Sequence, residues 1–462
     1  MSTVYIVAIL IALIYYSIRK KELYIKQLKL DKIQWCAIVF LIINVISSFA
    51  SPYFSKYNIF IGVGRGEGLI AITLYCLTFL CITFFGEFKK RYILYFSISA
   101  LLQSMICILQ YIGFNPLNMY QDGIGTHNVS FMGTIGNKDF LSAFFCIVLI
   151  VTLSDYILSD NKKYIQAINL STIFMGFFIL GILSVLSGGV GILATILLIA
   201  PYIITSSKKL SRALIAGSMI LLGYATNIII NPTYYYSLGA LKFNIQFNVI
   251  SFFLIMIAVL LIGLAMMLKK RNFDLSVNAK VIKIMYIVMI SFVLLVVLIL
   301  YCIDFNYGIL HEVHQIMHGN LDDDFGTYRM FLWKRAISLI GEAPIIGTGP
   351  DTFAIRFMDK YTDDIAKLGE ITINDTAANV YLTMAVNIGI LGLLAYLLFI
   401  GMQIFKGIKY KNKYSTIFLI AIICYIIQDF FNLWVVIVTP IFWTLMAIHY
   451  ISLKDELSER KE

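Results

Sequence analysis

Three clusters in this chain hold residues that could do chemistry. In the first, Arg65 and Glu67 stand among Gly62, Gly64, Gly66 and Gly68, immediately before an apolar run. A glycine backbone lets polar groups come close to a ligand or to one another. Arg65 could therefore bind a phosphate, and an Arg65–Glu67 pair at a membrane boundary accounts for the same residues equally well. In the second, helix-like periodicity over 328–340, closed by Gly341 and Pro344, carries Arg329, Trp333, Lys334 and Arg335. Arg329 and Trp333 share a face, and a guanidinium fixed above a membrane surface matches phosphate oxygens with a fork of donors whose charge does not titrate. The spacing alone fits a solvated interfacial helix better.

The third cluster, GTIGNKDF at 133–140, has a turn that leads into an apolar run. Asn137 or Lys138 is placed at the helix entry, and Asp139 falls in the first turn, where it complements the helix dipole. Capping explains most of this segment, with Lys138 as a phosphate partner the chemical alternative. His311, Glu312, His314 and His318 do not make the HExxH zinc pattern, and Asp322, Asp323 and Asp324 have neither EF-hand nor two-metal spacing. No metal site or cofactor is expected. There is no GxSxG elbow and no phosphate-binding P-loop, so the chain is not by itself a nucleotide-fuelled pump.

The elements that must position these residues are apolar helices. Of the 462 residues, 60% are apolar and 13% charged. The apolar ones gather in blocks of about 20, the length that crosses a hydrocarbon core of ~30 Å. The pattern predicts an all-α polytopic membrane protein, a single membrane domain over 1–462 with about thirteen spans (twelve to fourteen), the first over 2–18 and read as a retained helix. Gln428, Asp429 and Asn432 interrupt the last long apolar stretch, where two helices or a re-entrant hairpin would both fit. The net charge of +10 is mostly topological, and no nucleic-acid partner is implied. With the N-terminus outside, 26 of the 36 Lys and Arg fall on cytoplasmic connectors, which places one large polar loop, 304–376, on the extracytoplasmic side. The seven cysteines lie in or beside apolar spans without a CxxC pair, so no disulfide is expected.

Four segments, in this order, resemble the bacterial O-antigen ligase and polysaccharide polymerase family: GVGRGEGL before the third span, GTIGN before the fifth, LSGGVG at 186–191, and the large loop. The loop run GTYRMFLWKRAISLIGEAPIIGTGPDTF is similar to the family's G-x-x-R, Trp, Pro and G-x-G-P pattern. It is followed by NDTAANVYL where the family has D-x-A-H-N-x-Y-L. The resemblance, over most of residues 60–400, implies a metal-independent, GT-C-like membrane glycosyltransferase in the bacterial plasma membrane. Its donor would be an undecaprenyl-diphosphate-linked glycan, its surroundings membrane lipid, and its neighbours polysaccharide assembly proteins. Arg329 and Arg65 take the arginine positions expected to contact the diphosphate, and Glu67, Asn137, Lys138, Trp333, Arg335 and Asn379 complete the expected substrate contacts. Two positions depart from the pattern. Ser187 is followed by Gly188 where the family often has arginine, and Ala378 stands where the family has its loop histidine. Alanine cannot move a proton, which leaves Asp375 or Glu370 as replacement bases, or else a protein that binds or translocates the lipid-linked glycan without catalysis.

Overall fold

The computed structural model describes residues 30–120, 132–235, 240–270, 279–304, 308–367, 375–410 and 412–459. In chain order these form α1 (Lys32–Phe49), α2 (Leu69–Phe85), α3 (Arg91–Tyr111), α4 (Lys138–Leu158), α5 (Lys163–Leu183), α6 (Leu186–Ile203) and α7 (Ser207–Ile229). After α7 come β1 (Ile230–Tyr235), β2 (Ala240–Ile245), α8 (Val249–Lys270) and α9 (Ala279–Cys302). The chain then runs through α10 (Ile309–Met317), α11 (Arg329–Glu342), α12 (Phe353–Lys367), α13 (Val380–Lys409), α14 (Lys413–Gln428) and α15 (Thr439–Glu459). The expected first span, 2–18, lies outside the described residues.

Nine helices among the described residues are long and apolar enough to cross a membrane, and three shorter apolar ones accompany them. Apolar side chains such as Phe252, Val259, Val288, Phe292 and Leu298 on α8 and α9 are exposed. A helix that is apolar on its outward face belongs in lipid, so the chain is a multi-pass membrane protein. One antiparallel ribbon departs from the all-helical expectation: β1 pairs with β2, Ile230 opposite Ile245 and Tyr235 opposite Ala240. Its Asn-Pro-Thr-Tyr-Tyr run favours extended backbone, and a two-stranded ribbon tolerates Pro232 because neither strand is central. The interruption at the end of the chain is also seen. Helix α14 stops at Gln428, Asp429–Phe431 make one 3₁₀ turn, and α15 starts at Thr439.

The chain divides into two compact units. The first contains α1, α2, most of α9, α10 to α13 and α15. Its core is aromatic. Phe40, Phe79, Tyr396, Phe399 and Trp443 are buried with rings in contact, Phe399 stacked on Trp443 at 5.2 Å and Phe79 edge-on to Phe399 at 4.9 Å. Asp31 caps α1 in a reciprocal box with Gln34, and Lys406 near the end of α13 pairs with Asp31. Between α9 and α13, the polar segment has a smaller core of its own, in which Phe331, Ala336 and Leu339 of α11 pack with Phe353 and Phe357 of α12.

The feature that shapes this unit is a break in α13. Gly389 has φ 71 and ψ −179, a conformation open essentially to glycine alone. The backbone freed there bonds to the segment that precedes α12. Ile390 and Leu391 N–H donate to the carbonyls of Pro344 and Ile345, while Thr348 and Gly349 N–H donate to the carbonyl of Asn387. A Cβ on Gly389 would lie 2.3 Å from the Ile345 oxygen, and one on Gly347 2.2 Å from the Asn387 oxygen. Ser47 and Ser51, at the end of α1, donate to the carbonyls of Ile346 and Thr348. The G-T-G-P segment is thereby clamped between α1 and the kink.

The second unit is built around α4, which is buried along nearly its whole length. Asp155 near its end accepts from Asn161 (2.6 Å) and Asn169 (2.9 Å), so the buried carboxyl has two donors. Gly188, the departure from the family's Ser-Arg pair, packs against α4. A Cβ there would lie 2.1 Å from Ser142 Oγ, so a larger side chain would have to displace Ser142.

Candidate functional site

The clamped G-T-G-P segment ends at Asp351, whose backbone is left-handed at φ 59. Its carboxylate lies against the glycine-rich loop before α2 and collects four consecutive amides. Gly64, Arg65 and Gly66 N–H donate to Oδ2 at 3.0 Å each, and Glu67 N–H at 3.3 Å. Successive N–H groups converging on one anion form a nest, which requires alternating backbone signs that glycine supplies. Gly62 and Gly66 have φ 101 and 74, and a Cβ on Gly62 would meet Asp351 Oδ2 at 2.3 Å. Burial raises the Asp351 carboxyl above its ordinary range, and the four amides pull the other way.

This loop sets out three charged groups. The Arg65 guanidinium turns to Asp375, Nε 2.5 Å from Oδ2 and Nη2 3.1 Å from Oδ1, a two-pronged pair with the arginine 35% exposed. Arg65 and Glu67 therefore do not pair with each other in these contacts. Glu67 is buried in the loop, two residues before α2. Its Oε1 accepts from Tyr75 (2.9 Å) and Thr439 (3.4 Å), while its Oε2 has no hydrogen-bond partner among the described residues. Burial pushes the Glu67 carboxyl up to about 8, against the two hydroxyl donors.

Arg65, Glu67 and Asp351 line one cleft, open at its mouth. Phe40 and Asn44 of α1, Ile72 of α2, Met384 and Asn387 of α13, and Trp434 are among the other residues of its wall. A mostly apolar cleft with a few convergent polar groups has the character of a ligand site.

The other expected site residues fall in different places. Arg329 opens α11, as the periodicity predicts, and the helix runs two residues further than expected, to Glu342. Its Nη1 donates to the Gly326 carbonyl (2.9 Å) and Nη2 to that of Phe431 (3.4 Å); Nε has no hydrogen-bond partner among the described residues. Arg329 is not among the residues that line the cleft. Trp333 shares its face, packing on Phe430 and Phe431 while its indole N–H donates to the Ala377 carbonyl (3.0 Å). Arg335 is engaged by Asp323 (3.1 Å) and Asp364 (3.0 Å) and lies over the Phe331 ring. These contacts tie α11 to its neighbours.

Asn379 caps α13 through Leu382 N–H, and Ala378 beside it has φ 48. Asn137 caps α4, accepting from Asp139 and Phe140 N–H, and Lys138 is exposed in the second unit. Capping thus accounts for Asn137. Glu370 lies outside the described residues. His311 pairs with Asp304 at 2.8 Å.

Sequence reasoning missed Asp351, and with it Tyr75 and Thr439. The sign of Asp351 was available: two glycine-rich segments far apart in the chain, one rich in N–H donors and the other ending in a carboxylate. Arg356 was missed too. It is buried, its guanidinium donating to the carbonyls of Val386 and Leu339 and pairing with Glu342.

A multi-pass helical membrane protein with a cation-bearing cleft beside a broken helix is the class that fold and site define. Within that class, residues 248–397 match the family described as O-antigen ligase. The matched stretch covers about a third of the chain, narrower than the resemblance over 60–400. It includes Arg329, Asp351, Asp375, Asn379 and the Gly389 break, whereas Arg65 and Glu67 precede it. No curated protein matches the chain.

Proposed function

We propose that the protein transfers a glycan from an undecaprenyl-diphosphate carrier in the bacterial plasma membrane to an acceptor hydroxyl, without metal or nucleotide sugar. We take the acceptor to be a second lipid-linked glycan, which makes the reaction polymerisation. The observation that carries the reading is Arg65, a guanidinium on the wall of a cleft that also holds two carboxyls and a broad apolar face, in a chain whose residues 248–397 match the O-antigen ligase family. On this reading the segment 304–376 and the glycine-rich loop face the extracytoplasmic side, where the glycan is presented. The acceptor oxygen attacks the anomeric carbon while Arg65 exchanges Asp375 for the departing diphosphate, stabilising charge as it develops. Arg329 does not line the cleft, and its donors rest on the carbonyls of Gly326 and Phe431, so we give it a secondary, positioning part.

Ala378 supports a second reading, a protein that binds or translocates the lipid-linked glycan, because the histidine expected there is missing. Reconstitution with an undecaprenyl-diphosphate oligosaccharide separates the two. Chain elongation by the wild type, lost in Arg65→Ala and reduced in Arg329→Ala, supports transfer. Binding without turnover supports the second reading, and no binding at all overturns both.

A further inference from the structure

We infer that Glu67 is the catalytic base of this site, taking the proton of the acceptor hydroxyl through its unpartnered Oε2. The inference rests on the transfer reading above and concerns the step left open by Ala378.

The carboxylates near the cleft differ in what they have left to offer. Asp375 has both oxygens on Arg65, so neither is open to an acceptor hydroxyl. Asp351 is committed to four backbone amides, and moving it would release the loop that carries Arg65. Glu67 alone among these three has one oxygen anchored and the other without a partner. Tyr75 from α2 and Thr439 from α15 fix Oε1, which orients the carboxyl, and the residue lines the cleft. A buried polar atom with no partner is uncommon in a folded protein and asks for a ligand or a function.

The step balances. The acceptor O–H proton passes to Glu67 Oε2 as the acceptor oxygen bonds to the anomeric carbon. The bond from that carbon to the diphosphate oxygen breaks, and its electron pair leaves with the diphosphate beside Arg65. The carboxylic acid then returns its proton to solvent at the cleft mouth.

The charged and titratable groups that face Glu67 are Tyr75, Asp351 and Arg65; Asn44 from α1 and Asn387 from α13 are neutral. Burial holds the carboxyl near 8, so the base is present in full only above that pH, and kcat/KM should rise with pH up to about 8 and then level. Glutamine at this position keeps an oxygen for Tyr75 and Thr439 and cannot accept the proton.

Wild type, Glu67→Gln and Glu67→Asp are reconstituted in vesicles with an undecaprenyl-diphosphate oligosaccharide, and donor binding and transfer are measured separately from pH 5.5 to 9.5. The expected result is that E67Q binds the donor within about threefold of wild type, transfers it roughly 100-fold or more slowly, and loses the pH-dependent limb. E67D keeps the limb at a reduced rate and serves where E67Q does not yield folded protein. Transfer by E67Q at the wild-type rate, or an E67D profile without the limb, overturns the assignment while wild-type turnover keeps the transfer reading intact. Absence of turnover in the wild type removes both.

Discussion

Replacing Asp351 with alanine removes the anion around which the glycine-rich loop is folded. Four amide donors at 3.0 to 3.3 Å lose their acceptor together. A hydrogen bond to a charged group contributes roughly 1.5 to 3 kcal/mol, but four on one carboxylate are not additive, and the cost of burying the charge offsets part of the gain. A net loss on the order of 3 to 5 kcal/mol follows, with Asp351→Asn, which keeps one carbonyl oxygen, losing about half. For a unit of this size that corresponds to a fall of about 5 to 15 °C in apparent Tm. Fluorescence-monitored thermal unfolding of detergent-purified protein measures it at one fixed scan rate. Limited proteolysis tests the location, with new cleavage expected after Arg65 in D351A. An alanine variant within about 1 °C of wild type and with an unchanged digestion pattern would show that the nest does not organise the loop.

Further perturbations address the same framework. Gly389→Ala places a side chain in backbone space reserved for glycine and drives a Cβ to 2.3 Å from Ile345 oxygen; it should cost about 3 kcal/mol and weaken donor binding by releasing the G-T-G-P segment, read by thermal unfolding and a binding titration. Arg356→Ala leaves the carbonyls of Val386 and Leu339 without their donor and Glu342 without one of its two cations, a loss of about 3 to 5 kcal/mol that Arg356→Lys recovers only in part. Glu67 gives stability a pH dependence. A carboxyl raised to about 8 binds its proton more tightly folded than unfolded, so stability should fall as pH rises from about 4.5 to about 8, by at most on the order of 1 kcal/mol per pH unit. Comparing Tm against pH for wild type and Glu67→Gln checks the sign, the variant having the shallower slope.

Most of the fold is legible in the sequence because membrane helices announce themselves by length and apolarity alone. The apolar blocks that the sequence shows at 68–86, 139–157 and 164–184 lie within a residue or two of Leu69–Phe85, Lys138–Leu158 and Lys163–Leu183. Helix α11 begins at Arg329 and brings Trp333 to the same neighbour, Phe431, as i and i+4 spacing requires. Asn137 behaves as the cap its type suggests. The site is less legible, since its groups meet through tertiary contacts with no local signature. Nothing near Arg65 in the chain announces Asp375, and nothing near Glu67 announces Thr439. The short ribbon after α7 escaped a reading based on hydropathy because its strands are neither long nor regularly alternating.

The bond between Asp351 and the amides of residues 64 to 67 joins segments 284 to 287 positions apart. A ribosome delivers the chain from its N-terminus, so the stretch bearing Arg65 enters the bilayer long before its organising anion has been made. Through most of synthesis that arginine has no Asp375 and its loop no Asp351. The wall of the cleft is complete only once the chain has been made as far as Trp434, so the site is assembled late, from segments made at opposite ends of synthesis.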